Sequence, residues 1–159
     1  MSRNSSGTVK RIEAPQRIGS IMTQSPRTVH PDTTIVELRR LFEVYDFNMF
    51  PVVSDRDVLR GVVTKLDLLK IFRPWAGRIT PNLQALWAEH VKDIMSRGLT
   101  IITPKDPVAT ALTLMVNRRL RSIPVVQRQM REPVLVGIIS RNDVLRCLVL
   151  EDSRHPTGA

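Results

Sequence analysis

The two halves of this 159-residue sequence repeat one another, and this duplication constrains the fold more than any other feature. Four short segments of the first half return in the same order in the second half. The copies of the first three lie 73 positions apart, and those of the fourth lie 76 apart because the 127–133 loop is longer by three residues. We therefore infer a tandem duplication in which both copies fold alike. The matched pairs are Ile21-Met22 with Ile94-Met95, Pro31 with Pro104, Phe50-Pro51-Val52-Val53 with Ile123-Pro124-Val125-Val126, and GVVTKLD at 61–67 with GIISRND at 137–143.

Within each repeat, the hydropathy pattern predicts the element order strand, helix, strand, strand, helix. In the first repeat Thr33 or Thr34 precedes apolar residues at helical spacing, and in the second Asp106 is placed to cap a helix with Pro107 in its first turn. Two strands with helices on one side bury only one face, so the repeats are expected to pack together. The sequence thus predicts an α/β (α+β) chain whose two tandem β-α-β-β-α repeats form a pseudo-twofold pair. The predicted inner strands span 51–53, 59–63, 124–126 and 134–139, and the predicted last helices span 66–72 and 142–150.

The duplication also sets the predicted boundaries. The repeats occupy residues 18–72 and 91–150. Residues 1–17 have the small, polar and basic side chains of a flexible basic tail, and 151–159 form a C-terminal tail. The linker 73–90 is expected to contain a short amphipathic helix over 81–90, with Leu83, Leu86 and Trp87 on one face.

Composition excludes several classes of protein. With 42% hydrophobic and 25% charged residues the chain is typical of a globular domain. The apolar runs are only a few residues long, against the ~20 needed to span a bilayer, so no membrane segment is expected. The N-terminus lacks the apolar stretch of a secretory signal. Cys147 is the only cysteine and cannot form an internal disulfide, which favours a cytoplasmic protein.

The net charge of +9 lies mainly in the second half of the chain. Residues 18–72 carry seven basic and seven acidic side chains, whereas residues 97–146 carry nine basic and three acidic ones. A basic half attracts nucleic acid, phosphorylated ligands or an acidic partner. It is equally compatible with a solvated surface that keeps the chain soluble, and the sequence leaves both interpretations open.

The repeated segment Gly-apolar-apolar-(Thr/Ser)-x-x-Asp is the best candidate for chemistry. Thr64 and Ser140 are predicted at a strand-to-helix junction, where a hydroxyl caps the helix and free N–H groups attract anions. Asp67 and Asp143, one turn later, could accept hydrogen bonds from a pair of ribose hydroxyls. The structural alternative is a capping box in which these residues only stabilise the helix. Spacing alone favours this second interpretation.

The ordered motifs resemble those of the CBS (cystathionine β-synthase) domain, present as a tandem pair called a Bateman module. The resemblance covers residues 18–150, nearly the whole predicted folded region. Each motif is weak alone, but their order, spacing and duplication together are specific. The residues that carry it are Ile21-Met22-Thr23, Phe50-Pro51-Val52-Val53 and the segment 61–67 in the first half, with Val91-Lys92-Asp93-Ile94-Met95, Ile123-Pro124-Val125-Val126 and the segment 137–143 in the second.

The resemblance implies two clefts, each formed crosswise between the opening of one repeat and the Asp-bearing segment of the other. Family members bind AMP, ADP, ATP or S-adenosylmethionine there as regulatory ligands, with no obligatory cofactor. We expect the first cleft to be the better site, because in the second Asp93 would put negative charge near a phosphate and Arg121 is bulky beside a base, although its guanidinium could pair with phosphate. The first cleft would combine Ser20, Ser25, Phe47 and Asn48 with Ser140 and Asp143, and the second would combine Asp93, Gly98, Leu120 and Arg121 with Thr64 and Asp67.

The resemblance further implies a homodimer in which two modules meet through their helices, and the apolar residues of 66–72 and 144–150 suit such a surface. Family members commonly regulate an attached enzyme, channel or transporter. This chain is expected to be a stand-alone module whose target, if any, is a separate protein.

Signals of catalysis are absent from the sequence. There is no P-loop or dinucleotide-binding glycine motif. His30, His90 and His155 lie far apart, without cysteine or acidic companions at metal-ligand spacing, and Cys147 has no evident activating base. We therefore expect neither an enzyme nor a metal site.

Three functions remain open. The first is a ligand-sensing module that binds an adenosine-containing molecule. The second is a dimeric scaffold whose clefts are vestigial, and substitutions at Asp67 and Asp143 distinguish it from the first. The third is a nucleic-acid-binding protein that uses the basic second repeat, against which stand the 4% aromatic content and the lack of a helix-turn-helix signature.

Overall fold

The computed structural model describes residues 16–75, 77–81 and 88–148. Its elements confirm a mixed fold of two similar halves, with helices packed against small antiparallel sheets. In chain order they are α1 (Ile18–Ile21), β1 (Thr23–Gln24), α2 (Ile35–Val44), β2 (Met49–Val53), β3 (Leu59–Thr64), α3 (Lys65–Lys70), β4 (Phe72–Trp75), β5 (Arg78–Pro81), α4 (Val91–Ile94), α5 (Val108–Arg118), β6 (Ser122–Gln129), β7 (Glu132–Ser140) and α6 (Arg141–Cys147).

Each repeat is built on an antiparallel hairpin, β2–β3 in the first and β6–β7 in the second. Equivalent residues pair in both, since Val52 lies opposite Gly61 and Val125 opposite Gly137. A parallel bridge extends each hairpin, from Val29 to Val52 and from Ile102 to Val125. The apolar motifs of the sequence thus form the central strands, as predicted.

The opening helices are exchanged between the repeats. The amides of Ile18 and Gly19 in α1 donate to the carbonyls of Asp106 and Pro104 in the second repeat, both at 2.9 Å. In the equivalent place, the amides of Val91 and Lys92 in α4 donate to the carbonyls of Thr33 and Pro31 in the first repeat, at 2.8 and 2.9 Å. The opening segment of each repeat therefore belongs structurally to the other.

The hydrophobic cores follow this exchange. Ile18 is fully buried in the core of the second repeat, and Val91 is fully buried in that of the first. A third cluster, of Val53, Leu59 and Val126, joins the two hairpins at the centre of the molecule. Neither repeat completes its core alone. The first core contains Val29, Leu38, Phe42, Phe50, Val52, Val63, Val91 and Met95, and the second contains Ile18, Ile102, Ala111, Met115, Ile123, Val125, Ile139 and Val144.

Two glycines permit the repeats to approach this closely. Strand β1 pairs with β7, and Ser96 forms the equivalent bridge to Val62 of β3. A Cβ at Gly61 would lie 2.8 Å from Met95 Sδ, and one at Gly137 would lie 2.6 Å from Met22 Sδ. The Ile-Met and Gly motifs of the sequence are therefore two sides of one contact, made twice.

Some local predictions were wrong. The sequence did not predict the short helices α1 and α4, whose amides bond to carbonyls of the other repeat; the predicted first strand follows α1 as β1 and is reduced to the Ser96–Val62 bridge after α4. Asp106 does not cap α5, since its Oδ2 accepts from the amide and hydroxyl of Thr103. Pro81, where the linker helix was predicted to start, pairs with Phe72 in the β4–β5 hairpin. Residues 88–90 of that prediction are described and are not helical, whereas 82–87, with Leu83, Leu86 and Trp87, and both tails lie outside the described residues, apart from Gln16 and Arg17.

Candidate functional site

The strand-to-helix junction of the repeated motif has the same geometry in both repeats. In the first, Asp67 Oδ2 accepts from the Thr64 amide at 2.9 Å and from the Thr64 hydroxyl at 2.7 Å, while the Asp67 amide donates back to that hydroxyl. In the second, Asp143 Oδ2 accepts from the amide and hydroxyl of Ser140 at 2.8 and 2.7 Å. Each pair forms a capping box, so one oxygen of each carboxylate stabilises the start of the helix.

The other oxygen of each carboxylate faces away from the cap. Asp67 Oδ1 lies 3.3 Å from Lys70 Nζ, and the Asp67 side chain is only 9% exposed. Asp143 Oδ1 lies 4.0 Å from Arg146 Nη1. A carboxylate oxygen has more than one lone pair, so each Oδ1 retains acceptor capacity for a ligand hydroxyl. Capping and ligand binding therefore use different oxygens and are compatible.

A cavity of about 730 Å³ opens beside the first of these junctions. Its wall contains the end of β3 and the start of α3, with Thr64 and Asp67, together with the segment before β6 from the second repeat. The predicted second-cleft residues Gly98, Leu120 and Arg121 line this same cavity. Further lining residues are Asn48, Met49, Val62, Lys65, Leu66, Leu69, Lys70, Ser96, Leu99, Thr100, Arg119, Ser122 and Pro124.

Asn48, which we had expected in the first cleft, also lines this cavity. Its Oδ1 accepts a hydrogen bond of 3.0 Å from Arg121 Nη1. The two residues occupy equivalent positions, 73 apart, and each presents its carbonyl to the amide of the following helix, Lys65 to Asn48 and Arg141 to Arg121. Arg121 is thus held by a partner from the other repeat.

Arg141 fixes the backbone on which Arg121 stands. Its Nε donates to the carbonyl of Leu120 at 2.8 Å, and its Nη2 donates to that of Arg119 at 3.0 Å. Arg119 ends α5 in the left-handed region, with φ of 54°. The three hydrogen bonds from Arg141, counting its amide, hold the segment 119–121 against the start of α6.

Asp93 is directed at backbone amides. Its Oδ2 accepts from the amides of His90 and Glu89 at 2.9 and 3.0 Å. It lines a neighbouring cavity of about 530 Å³ that shares Asp67, Lys70 and Ser96 with the larger one. The carboxylate of Asp93 therefore lies beside the main cavity and does not line it.

The remaining first-cleft residues have local contacts. Ser20 donates to the carbonyl of Arg17 at 2.7 Å, and Ser25 is exposed in a left-handed conformation with φ of 47°. Phe47 stacks on Tyr45, with ring centroids 5.4 Å apart. The guanidinium carbon of Arg27 lies over the Tyr45 ring, 4.2 Å from its centroid. The expectation that the ligand prefers this cleft is untested, and the cavity of about 730 Å³ lies at the second cleft instead.

Sequence reasoning missed several residues of the larger cavity, among them Lys65, Ser96, Thr100 and Arg119. The sequence motifs could have identified two of them, because Lys65 lies between Thr64 and Asp67, and Ser96 directly follows Ile94-Met95. Arg119 follows a helix whose end the sequence did not mark. No pattern distinguished it from the other arginines of the basic half.

The described residues contain neither a membrane-spanning helix nor a cluster of metal ligands. No helix in that part of the chain is long and apolar enough to cross a membrane. Within the same residues, no three His, Cys, Asp or Glu side chains are grouped so that they could hold a metal ion.

Both repeats match a family of known sequences. The family model of the CBS domain matches residues 18–74 and 91–150, well over half of the chain. Among curated proteins, the inosine-5'-monophosphate dehydrogenase of Methanocaldococcus jannaschii is 27% identical over 138 residues. That match covers 87% of this chain but 25% of the enzyme.

Solved structures show the same fold. CBSX2 from Arabidopsis thaliana is 25% identical, with a TM-score of 0.68 over 84% of this chain and 94% of that one. A structure of CBSX2 was solved in complex with AMP. The CBS domain pair of protein MJ0100, solved with 5'-methylthioadenosine and S-adenosyl-L-methionine, is 22% identical, with a TM-score of 0.67 over 84% of this chain and 95% of that one. The chain therefore belongs to the CBS domain family and carries the domain twice in tandem.

Proposed function

We propose that the protein is a regulatory module that binds an adenosine-containing ligand in the cavity between its repeats. The observation that carries this proposal is the cavity itself, because its wall takes Thr64 and Asp67 from the first repeat and Leu120 and Arg121 from the second. Its volume of about 730 Å³ lies in the range of small-molecule sites.

The cavity wall offers the contacts that an adenosine needs. Asp67 Oδ1 accepts hydrogen bonds from ribose hydroxyls while Thr64 holds Oδ2 in place. Val62, Leu99 and Leu120 supply apolar surface for the faces of the base. The AMP of CBSX2 and the 5'-methylthioadenosine and S-adenosyl-L-methionine of the MJ0100 pair share an adenosine, which supports this part of the ligand.

Signalling follows from the position of the cavity. A ligand that contacts both α3 and the 119–122 segment binds best to one arrangement of the two repeats. Binding therefore shifts the population toward that arrangement, and a partner that distinguishes the arrangements responds to the ligand. The partner is a separate protein in this proposal.

Thermal melting tests the proposal, with AMP, ADP, ATP, S-adenosylmethionine and NAD each added at millimolar concentration. A ligand at ~100 times its dissociation constant stabilises by about 2.7 kcal/mol. For a chain of this size that is a shift of roughly 5 to 10 °C. We expect such a shift with at least one adenosyl ligand and its loss in Asp67→Asn, which keeps an acceptor for Thr64 but removes the carboxylate.

Asp106→Asn is the matched control. Asp106 makes the same contacts with Thr103 that Asp67 makes with Thr64, at 2.6 Å to the amide and 3.0 Å to the hydroxyl, and it does not line the cavity. Its ligand shift is expected to equal that of the wild type. Absence of a shift with all five ligands would refute the proposal and favour the scaffold with vestigial clefts.

We also propose that the module is a homodimer formed through its helices. Helices α5 and α6 border an apolar groove of about 280 Å³, with Leu112, Val116 and Leu145 in its wall, and Val116 and Leu145 are 66% and 60% exposed. Exposed apolar surface of this kind marks interaction sites. Light scattering is expected to report a dimer that Val116→Glu with Leu145→Glu converts to a monomer. Met130→Glu, at a fully exposed turn residue, should leave the mass unchanged, and an unaltered mass in the double variant would contradict this interface.

A further inference from the structure

We infer that the cavity selects an adenosine ligand that carries phosphate and rejects one that carries a positive charge. This inference rests on the proposed function and specifies the ligand class of the same site. It is carried by the charges on the cavity wall. Among the described residues, four cationic side chains, Lys65, Lys70, Arg119 and Arg121, line the cavity together with one carboxylate, that of Asp67.

The two arginines supply the charge that the protein does not neutralise. Lys65 forms an ion pair with Asp46 at 3.2 Å, and Lys70 lies 3.3 Å from Asp67. Within the described residues, neither Arg119 nor Arg121 has a carboxylate within ion-pair distance. The hydrogen-bond partner of Arg121 is the neutral amide of Asn48. The cavity wall therefore contains two arginines whose charge no described carboxylate neutralises, although Arg119 also lines the apolar groove between α5 and α6.

This charge is not a requirement of the fold. The positions equivalent to Arg119 and Arg121 in the first repeat, 73 residues earlier, are Asp46 and Asn48. Residues 46–48 precede β2, and residues 119–121 precede β6 in the same way. The carbonyls of Asn48 and Arg121 each accept from the first amide of the following helix. The two repeats thus share the carbonyl contact made by Asn48 and by Arg121, but they differ at Asp46 and Arg119, where the charge is opposite and only Arg119 lies in the left-handed region. The arginines add a property that the fold does not need.

The arginines are also preorganised. Arg141 holds the carbonyls of Arg119 and Leu120 at 3.0 and 2.8 Å, so the segment that bears both guanidinium groups is fixed before any ligand arrives. A guanidinium binds phosphate through paired, charge-assisted hydrogen bonds. S-adenosylmethionine carries a sulfonium cation in place of the phosphate. Its ammonium and carboxylate groups offset one another, so its net charge is positive, which is unfavourable beside cationic side chains. The same wall that attracts AMP therefore disfavours that ligand.

Isothermal titration calorimetry with AMP, adenosine and S-adenosylmethionine tests the inference, since AMP and adenosine differ only in the phosphate. We expect AMP to bind at least about tenfold more tightly than adenosine, as charge-assisted hydrogen bonds imply. S-adenosylmethionine should bind no better than adenosine. Raising the salt concentration should weaken AMP binding and leave adenosine binding nearly unchanged.

The Arg119→Gln, Arg121→Gln double variant is expected to bind AMP as weakly as adenosine while its adenosine affinity stays within about threefold of the wild type. Arg128→Gln with Arg131→Gln is the control, because it removes the same charge from the exposed β6–β7 turn, away from the cavity. Its AMP affinity should not change, and circular dichroism verifies the fold of both variants.

The outcomes separate the two proposals. If adenosine or S-adenosylmethionine binds as tightly as AMP, or if the double variant binds AMP like the wild type, the inference is wrong and the adenosine-binding function stands. If none of the three ligands binds, the proposed function fails and the inference fails with it.

Discussion

Among single residues, Gly61 and Gly137 make the tightest contacts between the repeats. A Cβ at Gly61 would lie 2.8 Å from Met95 Sδ and 2.9 Å from the carbonyl oxygen of Ser96. The methionine side chain can move, but the backbone carbonyl is held by the Val62–Ser96 bridge. We expect Gly61→Ala to reduce the free energy of unfolding by about 1–3 kcal/mol, as overpacking of a filled core does. Urea denaturation measures this change.

Gly98→Ala is the control for this prediction. A Cβ at Gly98 meets nothing within 4 Å, so the variant should unfold at the same urea concentration as the wild type. If Gly61→Ala is equally neutral, the strands do not approach as closely as the structure shows.

Arg141 acts on the ligand through Arg119 and Arg121 and is a positioning residue. Arg141→Gln removes two hydrogen bonds to the carbonyls of Leu120 and Arg119. We expect AMP affinity to fall by about tenfold, the loss of one or two such bonds, while adenosine affinity is retained. Calorimetry with both ligands measures the difference. Arg146→Gln, which removes an exposed arginine from the same helix, should change neither affinity, and an equal loss of AMP and adenosine binding in Arg141→Gln would argue against this role.

At the scale of elements, the exchange of α1 and α4 gives a crosswise prediction. Ile18 begins the first repeat but is fully buried among Ile102, Met115 and Ile123 of the second. Ile18→Ala should cost about 2–5 kcal/mol by leaving a cavity there. Hydrogen exchange should show the largest loss of protection in β6 and β7, and a smaller loss in β2 and β3.

Val36→Ala provides the comparison within a helix. Val36 is 81% exposed on α2, so its truncation should leave amide protection unchanged throughout the chain. Greater loss of protection in β2 and β3 than in β6 and β7 in Ile18→Ala would contradict the exchange of opening helices.

The sequence predicted the elements that are duplicated and failed where structure depends on a distant partner. The strands around Val52 and Val125 were predicted because apolar residues recur at matched positions. The helical form of Ile18–Ile21 was not, because its amides bond to carbonyls more than 80 residues away. The β4–β5 hairpin was also missed. It contains proline in both strands, and its turn depends on Gly77 with φ of 76°.

At the scale of the whole molecule, the ion pair of Asp32 with Lys92 joins the first repeat to α4. Lys92 Nζ lies 2.7 Å from Asp32 Oδ1. The hydrogen bond and charge of Lys92 lower the pKa of Asp32, and the same contact raises the pKa of Lys92. The stabilisation is therefore lost as the pH falls through the lowered pKa of Asp32. It is lost again as the pH rises through the raised pKa of Lys92.

An NMR titration of the Asp32 carboxyl carbon checks the acid side. Its midpoint should lie below the value of about 3.9 that is usual for aspartate, and should rise toward that value in Lys92→Gln. Both side chains are exposed, so added salt should reduce the difference. Arg97→Gln, another cation of this segment, should leave the midpoint in place. A midpoint that ignores Lys92→Gln would mean that the pair does not form in solution.

The sequence predicted several residues of the candidate site but not the charge of its cavity. Thr64, Asp67, Gly98, Leu120 and Arg121 were grouped through the family resemblance and line one cavity. Asp93 was grouped with them and does not line it, and Asn48 lines it although it was assigned to the other cleft. The charge of that cavity could not be predicted, because it depends on which basic side chains have carboxylate partners. The helix end at Arg119 and the contact between Arg121 and Asn48 arise only when both repeats are in place.

The exchanged opening helices also bear on how the chain acquires its structure during synthesis. The first repeat needs Val91 and Met95 to fill its core, and both follow its own last strand by more than 25 residues. When residues 18–72 have just been synthesised, their core partners have not yet been made. The core of the second repeat includes Ile18, which is synthesised before the rest of that core. The nascent first half must therefore stay incomplete until α4 emerges, and the two halves reach the native state as one cooperative unit.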